Sequence, residues 1–477
     1  MIKQSIYQHI DSISPILTDL SDRIWAFAEL SMLEFKSTEA YCQLMEQEGF
    51  AVQRELCGIP TAFSGSFGSG KPIIGILGEF DALSGLSQAP EATHHEPLTV
   101  DGCGHGCGHN LLGAAALGAA MAIKHQIESG ALSGTVVFYG CPGEEGCAGK
   151  TFMARDGLFR DLDAAITWHP GDVNQVTTGS NAACLQVEYA FTGVAAHAAG
   201  NPWTGRSALD AAELMNVGVQ FLREHMPPRS SIHYSFADAG GISPNVVQPT
   251  SRLIYMVRGE SVQKAKDLLR RVDNIAKGAA LMTDCSVTSR QIDGTASTLS
   301  NTVLEEVLFA NLQATPLPEY TRQEEVFARK LRTTYDCSEL PGGARVEENF
   351  KLKAFVVEHT ENGNLPLNNF VIPYAPSNSF RAGSTDVGDV SWLTPTAQFN
   401  AVTWPSGTPG HSWQAVSSGK SGIAHKGLVF AAKVLAGAVS DLMTDPHLLE
   451  EARKEFRIAA AEGYDCPIGP DLLPLPQ

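Results

Sequence analysis

Short apolar segments recur along this chain and alternate with helical patterns. Residues 72–78, 134–140, 164–168 and 399–404 are of strand length, and they lack the two-residue alternation of a half-exposed strand. Helical periodicity lies between them, for example over residues 111–129. Alternation of buried strands with helices predicts an α/β fold with a mostly parallel central sheet flanked by helices.

The N-terminal segment has helix periodicity, with apolar residues at steps of three or four from Ile6 to Phe27. Pro15 lies inside this pattern. Because proline removes a helical hydrogen bond and clashes with the preceding turn, we expect two helices here, divided at Pro15.

The middle of the chain has a different pattern. Between residues 185 and 294, strand-like and helical segments follow in the order β-α-β-β-α-β, which is typical of a ferredoxin-like fold. We therefore expect a second domain over residues 185–294, inserted into a discontinuous first domain made of residues 1–184 and 295–477. Residues 315–350 are polar and mixed in charge, and their pattern predicts no element.

Composition argues against several classes of function. Lys and Arg number 34 against 52 Asp and Glu, a formal net charge of −18, and an acidic surface repels nucleic-acid phosphates. The longest uncharged apolar run, residues 111–123, is shorter than the roughly 20 residues that cross a membrane, so no membrane role is expected. The N-terminus has no signal-peptide pattern. Ten cysteines in 477 residues are too sparse for a disulfide scaffold, so we expect a cytoplasmic protein with reduced thiols.

The predicted strands end in side chains that bind metals. Because open α/β sheets bind ligands at the carboxyl ends of their strands, we expect these side chains to meet at one edge of the sheet. His, Cys and carboxylate groups suit zinc or manganese. The candidates are Glu79 and Asp81, Glu144 and Glu145, His169, and His411, with Cys103, His105, Cys107 and His109 in a glycine-rich run before a helix.

Structural interpretations compete with these functional ones. The four residues of the Cys/His run could bind one structural zinc, although alternate residues in so short a span rarely surround a tetrahedral ion. Glu144 and Glu145 could be a solvated loop pair, or one could bind metal while the other acts as a base. His197 lies among small residues after the first strand of the inserted domain, and it is either a buried, hydrogen-bonded histidine or a functional group.

Longer motifs run from about residue 20 to residue 470. They are GEFDALSGLSQ (78–88), GHGCGHNLLG (104–113), FYGCPGEEG (138–146), KTFMARDG (150–157), TWHP (167–170), AAHAAGNPWTGRSALDA (195–211), GGISPNVVQ (240–248), STDVGDVSW (384–392), GTPGHSWQ (407–414) and IAHKG (423–427). This set resembles the M20 peptidase family, from the branch in which a cysteine replaces one carboxylate ligand. The resemblance implies a metal-dependent amidohydrolase with a phosphorylase/hydrolase-like catalytic domain and an inserted lid and dimerisation domain.

The resemblance also implies roles for particular residues. Glu144 matches the general base that acts on a metal-bridged water, and Asp81 matches an acidic residue that supports a metal ligand. His197 matches a lid histidine that reaches the partner subunit's active site, and Asn245 matches a lid residue near the substrate. Both imply a dimer. Two divalent metal ions, Mn²⁺ or Zn²⁺, are expected on Cys107, His109, Glu145, His169 and His411.

The implied reaction is hydrolysis of an amide bond in an N-acyl amino acid. The favoured substrate is p-aminobenzoyl-glutamate, with a dipeptide or another N-acyl amino acid as alternatives. Arg206 and Arg258 are candidates for binding the substrate carboxylate, because a guanidinium fits a carboxylate. A surface ion pair is the alternative for each. The partner is expected to be a second copy of this chain or a related subunit. The intact Glu144 disfavours a non-catalytic subunit.

Overall fold

The protein alternates strands and helices over most of its length. The computed structural model describes residues 2–337 and 339–476. Its strands are β1 (Ala51–Arg54), β2 (Phe63–Ser69), β3 (Ile73–Gly78), β4 (Gly134–Gly140), β5 (Ala164–Gly171), β6 (Gln175–Thr177), β7 (Ser180–Asn181), β8 (Ala183–Thr192), β9 (Ser231–Asp238), β10 (Thr250–Gly259), β11 (Ser286–Thr295), β12 (Phe380–Arg381) and β13 (Thr396–Val402). Its α-helices are α1 (Ile2–Phe27), α2 (Phe35–Gln47), α3 (His109–Glu128), α4 (Gly149–Arg155), α5 (Ala208–Arg223), α6 (Val262–Met282), α7 (Thr302–Ala314), α8 (Arg322–Leu331), α9 (Ala344–Glu348), α10 (Phe350–His359), α11 (Val387–Ser391), α12 (Trp413–Ser418), α13 (Gly422–Thr444) and α14 (Pro446–Ala459).

The main sheet has the strand order β1-β2-β4-β3-β5-β13-β6. Its centre, β4-β3-β5-β13, consists of the predicted apolar runs paired in parallel, so the predicted α/β fold is confirmed. Antiparallel strands that no sequence pattern predicted extend both edges, with β1 and β2 beyond β4 and β6 beyond β13. The sheet is therefore mixed, with a parallel core.

Helices α1, α3 and α13 pack together against this sheet. The small residues of α3 allow close approach, since a Cβ on Gly118 would lie 2.4 Å from Leu17 Cδ1. Helix α13 is long and apolar enough to cross a membrane, but 78% of its most apolar window is buried inside the protein. Its side chains contribute to the main hydrophobic core, which accounts for their apolar character.

The predicted division of the N-terminal helix at Pro15 is wrong, because α1 runs unbroken from Ile2 to Phe27. Pro15 cannot donate to the carbonyl of Asp11, but the hydroxyl of Ser14 donates to that oxygen at 2.8 Å. Apolar side chains are buried on both sides of the proline, Ile10 before it and Leu17 after it. Continuous packing along this face outweighs the one lost backbone hydrogen bond.

The second sheet has the antiparallel order β11-β8-β10-β9. Helices α5 and α6 pack on it around a core that includes Tyr189 and Tyr255. This is the predicted ferredoxin-like arrangement, and we call strands β8–β11 with α5 and α6 the lid. The domain limits of 185–294 stay a prediction.

Residues 315–350, for which the sequence predicts no element, contain α8 and α9 and the first residue of α10. Helix α8 begins with a capping box, in which Thr321 and Glu324 exchange hydrogen bonds between side chain and backbone. Ser338 lies outside the described residues.

Candidate metal centre

The carboxyl ends of the four central strands lie side by side, and each is followed by candidate ligands. Glu79 and Asp81 follow β3, and the Glu144–Glu145 pair follows β4. His169 lies in the last residues of β5, which is longer than predicted, and His411 follows β13. Helix α3 begins at His109, so Cys107 and His109 lie at its N-terminus. Parallel pairing of these strands thus brings the candidate ligand side chains together at one edge of the sheet.

The predicted metal ligands form two overlapping groups. The ligand atoms of Cys107, His109 and His169 lie within 4.8 Å of one another, and so do those of Cys107, Glu145 and His411. Cys107 Sγ is 3.4 Å from His169 Nε2, and Glu145 Oε2 is 3.3 Å from His411 Nε2. The two groups share Cys107, so these residues would hold two metal ions, and the Cys107 thiolate would be available to both.

Unpartnered buried atoms at the site support metal binding. His109 Nε2, Glu145 Oε1 and Glu79 Oε2 are buried, and within the described residues none has a hydrogen-bond partner. A buried polar atom without a partner costs free energy, so native structures normally provide one. A divalent cation satisfies a neutral imidazole nitrogen and a carboxylate oxygen together. The donor set therefore fits the expected metal ions.

Burial strongly raises the pKa of the Cys107 thiol, and the nearby Glu145 adds to this effect. A coordinating metal would have the opposite effect on the thiol pKa, because it deprotonates a thiol outright. Cys107 is thus chemically suited to be a ligand thiolate, whereas without a metal its thiol is a poor nucleophile.

Asp81 orients two of the predicted ligands. The ring of His109 donates from Nδ1 to Asp81 Oδ1 at 2.8 Å, and the backbone N–H of Glu145 donates to Oδ2 at 3.0 Å. Ser31 also donates to Oδ2, at 2.8 Å. Burial opposes ionisation, but the hydrogen bond and charge of His109 outweigh it and lower the pKa of Asp81 to about 2. The ionised carboxylate holds the Nδ1 proton and leaves the Nε2 lone pair for a metal.

Glu144 lies beside these ligands in a strongly acidic environment. Burial raises its pKa well above the usual range, and the negative charges of Glu79 and Glu145 raise it further. A carboxyl group in such surroundings binds a proton readily, which suits it to receive and deliver protons. The assignment of Glu145 as a metal ligand and of Glu144 as the base stays a prediction, with which this environment is compatible.

A cavity of about 260 Å³ opens over Glu144, Glu145 and His411, and the lid of the same chain forms its other wall. Arg258, on β10, lines this cavity and donates from Nε to Ser384 Oγ at 3.3 Å. The predicted carboxylate-binding arginine thus faces the cavity that contains the candidate base.

His197, Asn245 and Arg206 lie elsewhere, on exposed loops of the lid. His197 Nδ1 accepts the backbone N–H of Gly200 at 3.0 Å, and the carbonyl of Asn245 accepts the N–H of Ala198 at 3.0 Å. Arg206 Nε donates to Asp284 at 3.1 Å, which is the surface ion pair expected as the alternative role of this arginine. The structure brings His197 and Asn245 together but exposes both to solvent.

A buried group of charges that sequence patterns did not reveal lies behind the site. Lys150 is fully buried, and its Nζ is 2.7 Å from Glu79 Oε1 and 2.6 Å from Asp386 Oδ1. Lys150 and Asp386 belong to the motifs KTFMARDG and STDVGDVSW. Both motifs contributed to the family resemblance, but a motif does not show which of its charged residues are in contact in the folded protein.

The lid, the central sheet and the two ligand groups define a metal-dependent hydrolase with an inserted lid. The model of peptidase family M20/M25/M40 matches residues 75–286. A p-aminobenzoyl-glutamate hydrolase subunit of Escherichia coli (strain K12) is 42% identical, covering 99% of this chain and 99% of that protein. The chain belongs to the M20 peptidase family.

Two further proteins are similar to this chain over most of its length. The Xaa-Arg dipeptidase of Mus musculus is 28% identical, covering 97% of this chain and 94% of that protein. A solved structure of a dinuclear metal-binding peptidase of the M20 family, from Bacillus subtilis, has a TM-score of 0.55 at 16% identity, covering 91% of this chain and 99% of that one. The structural likeness shows a shared fold.

Proposed function

We propose that this protein hydrolyses the amide bond of an N-acyl amino acid and that p-aminobenzoyl-glutamate is its favoured substrate. The observation that carries the reaction type is the pair of ligand groups sharing Cys107, with Glu144 in the cavity that Glu145 and His411 also line. The full-length relative at 42% identity supports the choice of substrate.

The reaction needs a nucleophilic water and a polarised carbonyl. Two divalent metal ions, when bound, supply both near neutral pH. Glu144 takes the proton from the attacking water and delivers it to the leaving nitrogen. The mixed imidazole, thiolate and carboxylate ligands are compatible with Zn²⁺ or Mn²⁺.

Arg258 would bind the substrate's carboxylate. It reaches the cavity from the lid, and Glu144 and His411 line the same cavity. A guanidinium there holds the amino-acid end of the substrate by charge-assisted hydrogen bonds and leaves the amide near the metals. The two carboxylates of a glutamate product would be balanced by the guanidinium of Arg258 and by the metal ions.

The complete enzyme would be a dimer. His197 and Asn245 are exposed on the lid, and this exposure supports a role for them in contact with a partner subunit. Helix α5 also exposes an apolar face, with Leu214, Val217 and Phe221 at 36%, 53% and 69% exposure. An exposed apolar face of this kind is typical of a contact surface. The Escherichia coli relative is named as a subunit, so the partner is either a second copy of this chain or a related subunit.

A cytoplasmic location belongs to the same proposal. All ten cysteines are in the described part of the chain, and none of them forms a disulfide there. Reduced thiols, one of them a proposed ligand, are best maintained in a reducing compartment.

The test is amide hydrolysis by the purified chain, reconstituted with Mn²⁺ or Zn²⁺, on a panel of substrates. The panel contains p-aminobenzoyl-glutamate, dipeptides including Xaa-Arg, and other N-acyl amino acids. We expect p-aminobenzoyl-glutamate to be turned over fastest, and Glu144→Gln to lose about 10²–10⁴-fold in kcat while its metal content stays at the wild-type value. Preference for dipeptides would change the substrate assignment. Bound metal without turnover of any substrate would contradict self-sufficient catalysis.

A further inference from the structure

A line of buried charges runs from Asp386 through Lys150 to Glu79, directly behind His109. The three side chains are at most 3% exposed. The backbone N–H of Lys150 also donates to Asp386 Oδ2 at 2.8 Å, so this lysine is held at both ends. One cation between two carboxylates leaves a net negative charge in the interior, which is costly unless another cation is nearby.

The second oxygen of Glu79 faces His109. Glu79 Oε2 is 3.2 Å from His109 Nε2, and neither atom has a hydrogen-bond partner among the residues that the structure describes. Asp81 holds the Nδ1 proton of His109 at 2.8 Å, which leaves a lone pair on Nε2. Two buried acceptor atoms that face each other at this distance repel unless a proton or a metal cation lies between them.

We propose that Glu79 is a further metal-binding residue: its Oε2 binds the metal ion held by His109, and Lys150 and Asp386 are positioning residues that hold Glu79 in place. The ligand atoms of Glu79, His109 and Glu144 lie within 4.8 Å of one another. This inference rests on the proposed two-metal function. Nothing in the family match assigns a role to Glu79.

The assignment makes the two metal positions unequal. The ion at His109 gains an anionic group that is fixed by a buried lysine. The ion at Cys107, Glu145 and His411 would have three protein ligands, which would leave a coordination position for water or substrate. Glu79 therefore sets the affinity of one metal position and not of the other.

The experiment is a titration of the metal-free protein with Co²⁺, followed by calorimetry and by the thiolate-to-cobalt absorption band. Wild type is expected to bind two equivalents per chain and to develop the band from Cys107. Glu79→Gln is expected to lose about 10–100-fold in affinity for one equivalent, the size typical of losing a group that supports a metal ligand. The other equivalent and the thiolate band stay. The matched control is Asp389→Asn, a buried carboxylate that bonds to Thr151, the neighbour of Lys150, and it is expected to bind as wild type.

Unchanged affinity for both equivalents in Glu79→Gln would overturn the proposal. Failure of the wild type to bind two equivalents would instead refute the proposed two-metal function, so the two failures are distinguishable. If Glu79→Gln does not fold, as judged by circular dichroism, the same titration is made with Glu79→Asp. This variant keeps the negative charge beside Lys150, but its shorter side chain withdraws the carboxylate from His109. It is expected to lose affinity for the same single equivalent, and unchanged affinity would overturn the proposal.

The positioning role of Lys150 has a separate readout. Lys150→Met is expected to weaken the same single equivalent as Glu79→Gln, and Lys150→Arg, which keeps a cation beside Glu79, is expected to recover part of the affinity. Equal weakening of both equivalents in Lys150→Met, with no recovery in Lys150→Arg, would show a general structural role instead.

Discussion

His109 and Asp81 are joined by a hydrogen bond of 2.8 Å between Nδ1 and Oδ1, and both side chains are fully buried. The same carboxylate accepts the backbone N–H of Glu145. One ionised group therefore orients a ligand from each of the two metal groups, the ring of His109 and the backbone position of Glu145. Its low pKa keeps this support in place across the physiological pH range.

The first prediction concerns Asp81. Asp81→Ala removes the acceptor that fixes the His109 tautomer, and we expect metal affinity to fall about 10–100-fold. Competition with a chromophoric chelator measures this. Ser31→Ala, which removes only one hydrogen bond to Asp81, is the control and is expected to have a much smaller effect. Wild-type affinity in Asp81→Ala would contradict the support role.

The second prediction concerns substrate binding. Arg258→Ala removes the cation that faces the active-site cavity. Because a hydrogen bond to a charged group contributes about 1.5–3 kcal/mol, KM for an acidic substrate is expected to rise about ten- to hundredfold, with a smaller change in kcat. Steady-state kinetics on p-aminobenzoyl-glutamate and on an uncharged amide analogue measure the effect.

Arg206→Ala is the matched variant for that experiment. An unchanged KM would show that the ion pair between Arg206 and Asp284 is the whole role of Arg206. A rise in KM for Arg206→Ala, with none for Arg258→Ala, would reverse the assignment of the two arginines.

The third prediction concerns the dimer. If His197 completes the partner's site, His197→Ala and Glu144→Gln are each inactive alone, but a mixture forms hybrid dimers with one intact site. We therefore expect activity to return after the two variants are unfolded and refolded together. An inactive mixture, with hybrid dimers demonstrated by differential tagging, would place His197 in its own chain's site, and activity of His197→Ala alone would place it outside catalysis.

The fourth prediction concerns stability and pH. Burial raises the pKa of Asp389 to about 7, although Tyr464, Ala296 and Thr151 donate hydrogen bonds that oppose the shift. The pKa of an aspartate in the unfolded chain is about 3.9. Between these values the folded protein keeps a proton that the unfolded chain has released. Its free energy of unfolding should therefore fall as pH rises from about 4 to about 7 and then level off.

Asp389→Asn removes this contribution and leaves the other titrating groups in place. Urea unfolding of both proteins at pH 5 and pH 7.5 should show that the wild type loses more stability over this interval than the variant. Parallel pH profiles would contradict the raised pKa.

Much of the architecture could be predicted because apolar patterns report burial locally. The parallel strands β3, β4, β5 and β13 are buried runs, and the lid elements have clear periodicity. The strands β1 and β6 are short, and β2 (Phe63–Ser69) consists mostly of Ser and Gly, so no apolar run marks them. The break predicted at Pro15 was wrong because packing along the whole of α1 outweighs the low helix propensity of one proline.

The candidate site likewise has one part that the sequence predicted and another part that it did not. The expected ligands follow strand ends, so parallel pairing alone brings them together. The contact between Lys150 and Asp386 joins residues 236 positions apart, and it depends on how α4 packs against α11. No pattern along the chain encodes such a pair. The contact of His197 with a partner subunit stays a prediction, because it depends on a second chain.

The most direct test of the central claim is to restore metal stepwise to the chelated, metal-free chain while p-aminobenzoyl-glutamate hydrolysis and bound metal are measured together. We predict no turnover without metal and full turnover only when two equivalents per chain are bound. Full turnover by the metal-free chain, or turnover that is unrelated to bound metal, would contradict the two-metal account.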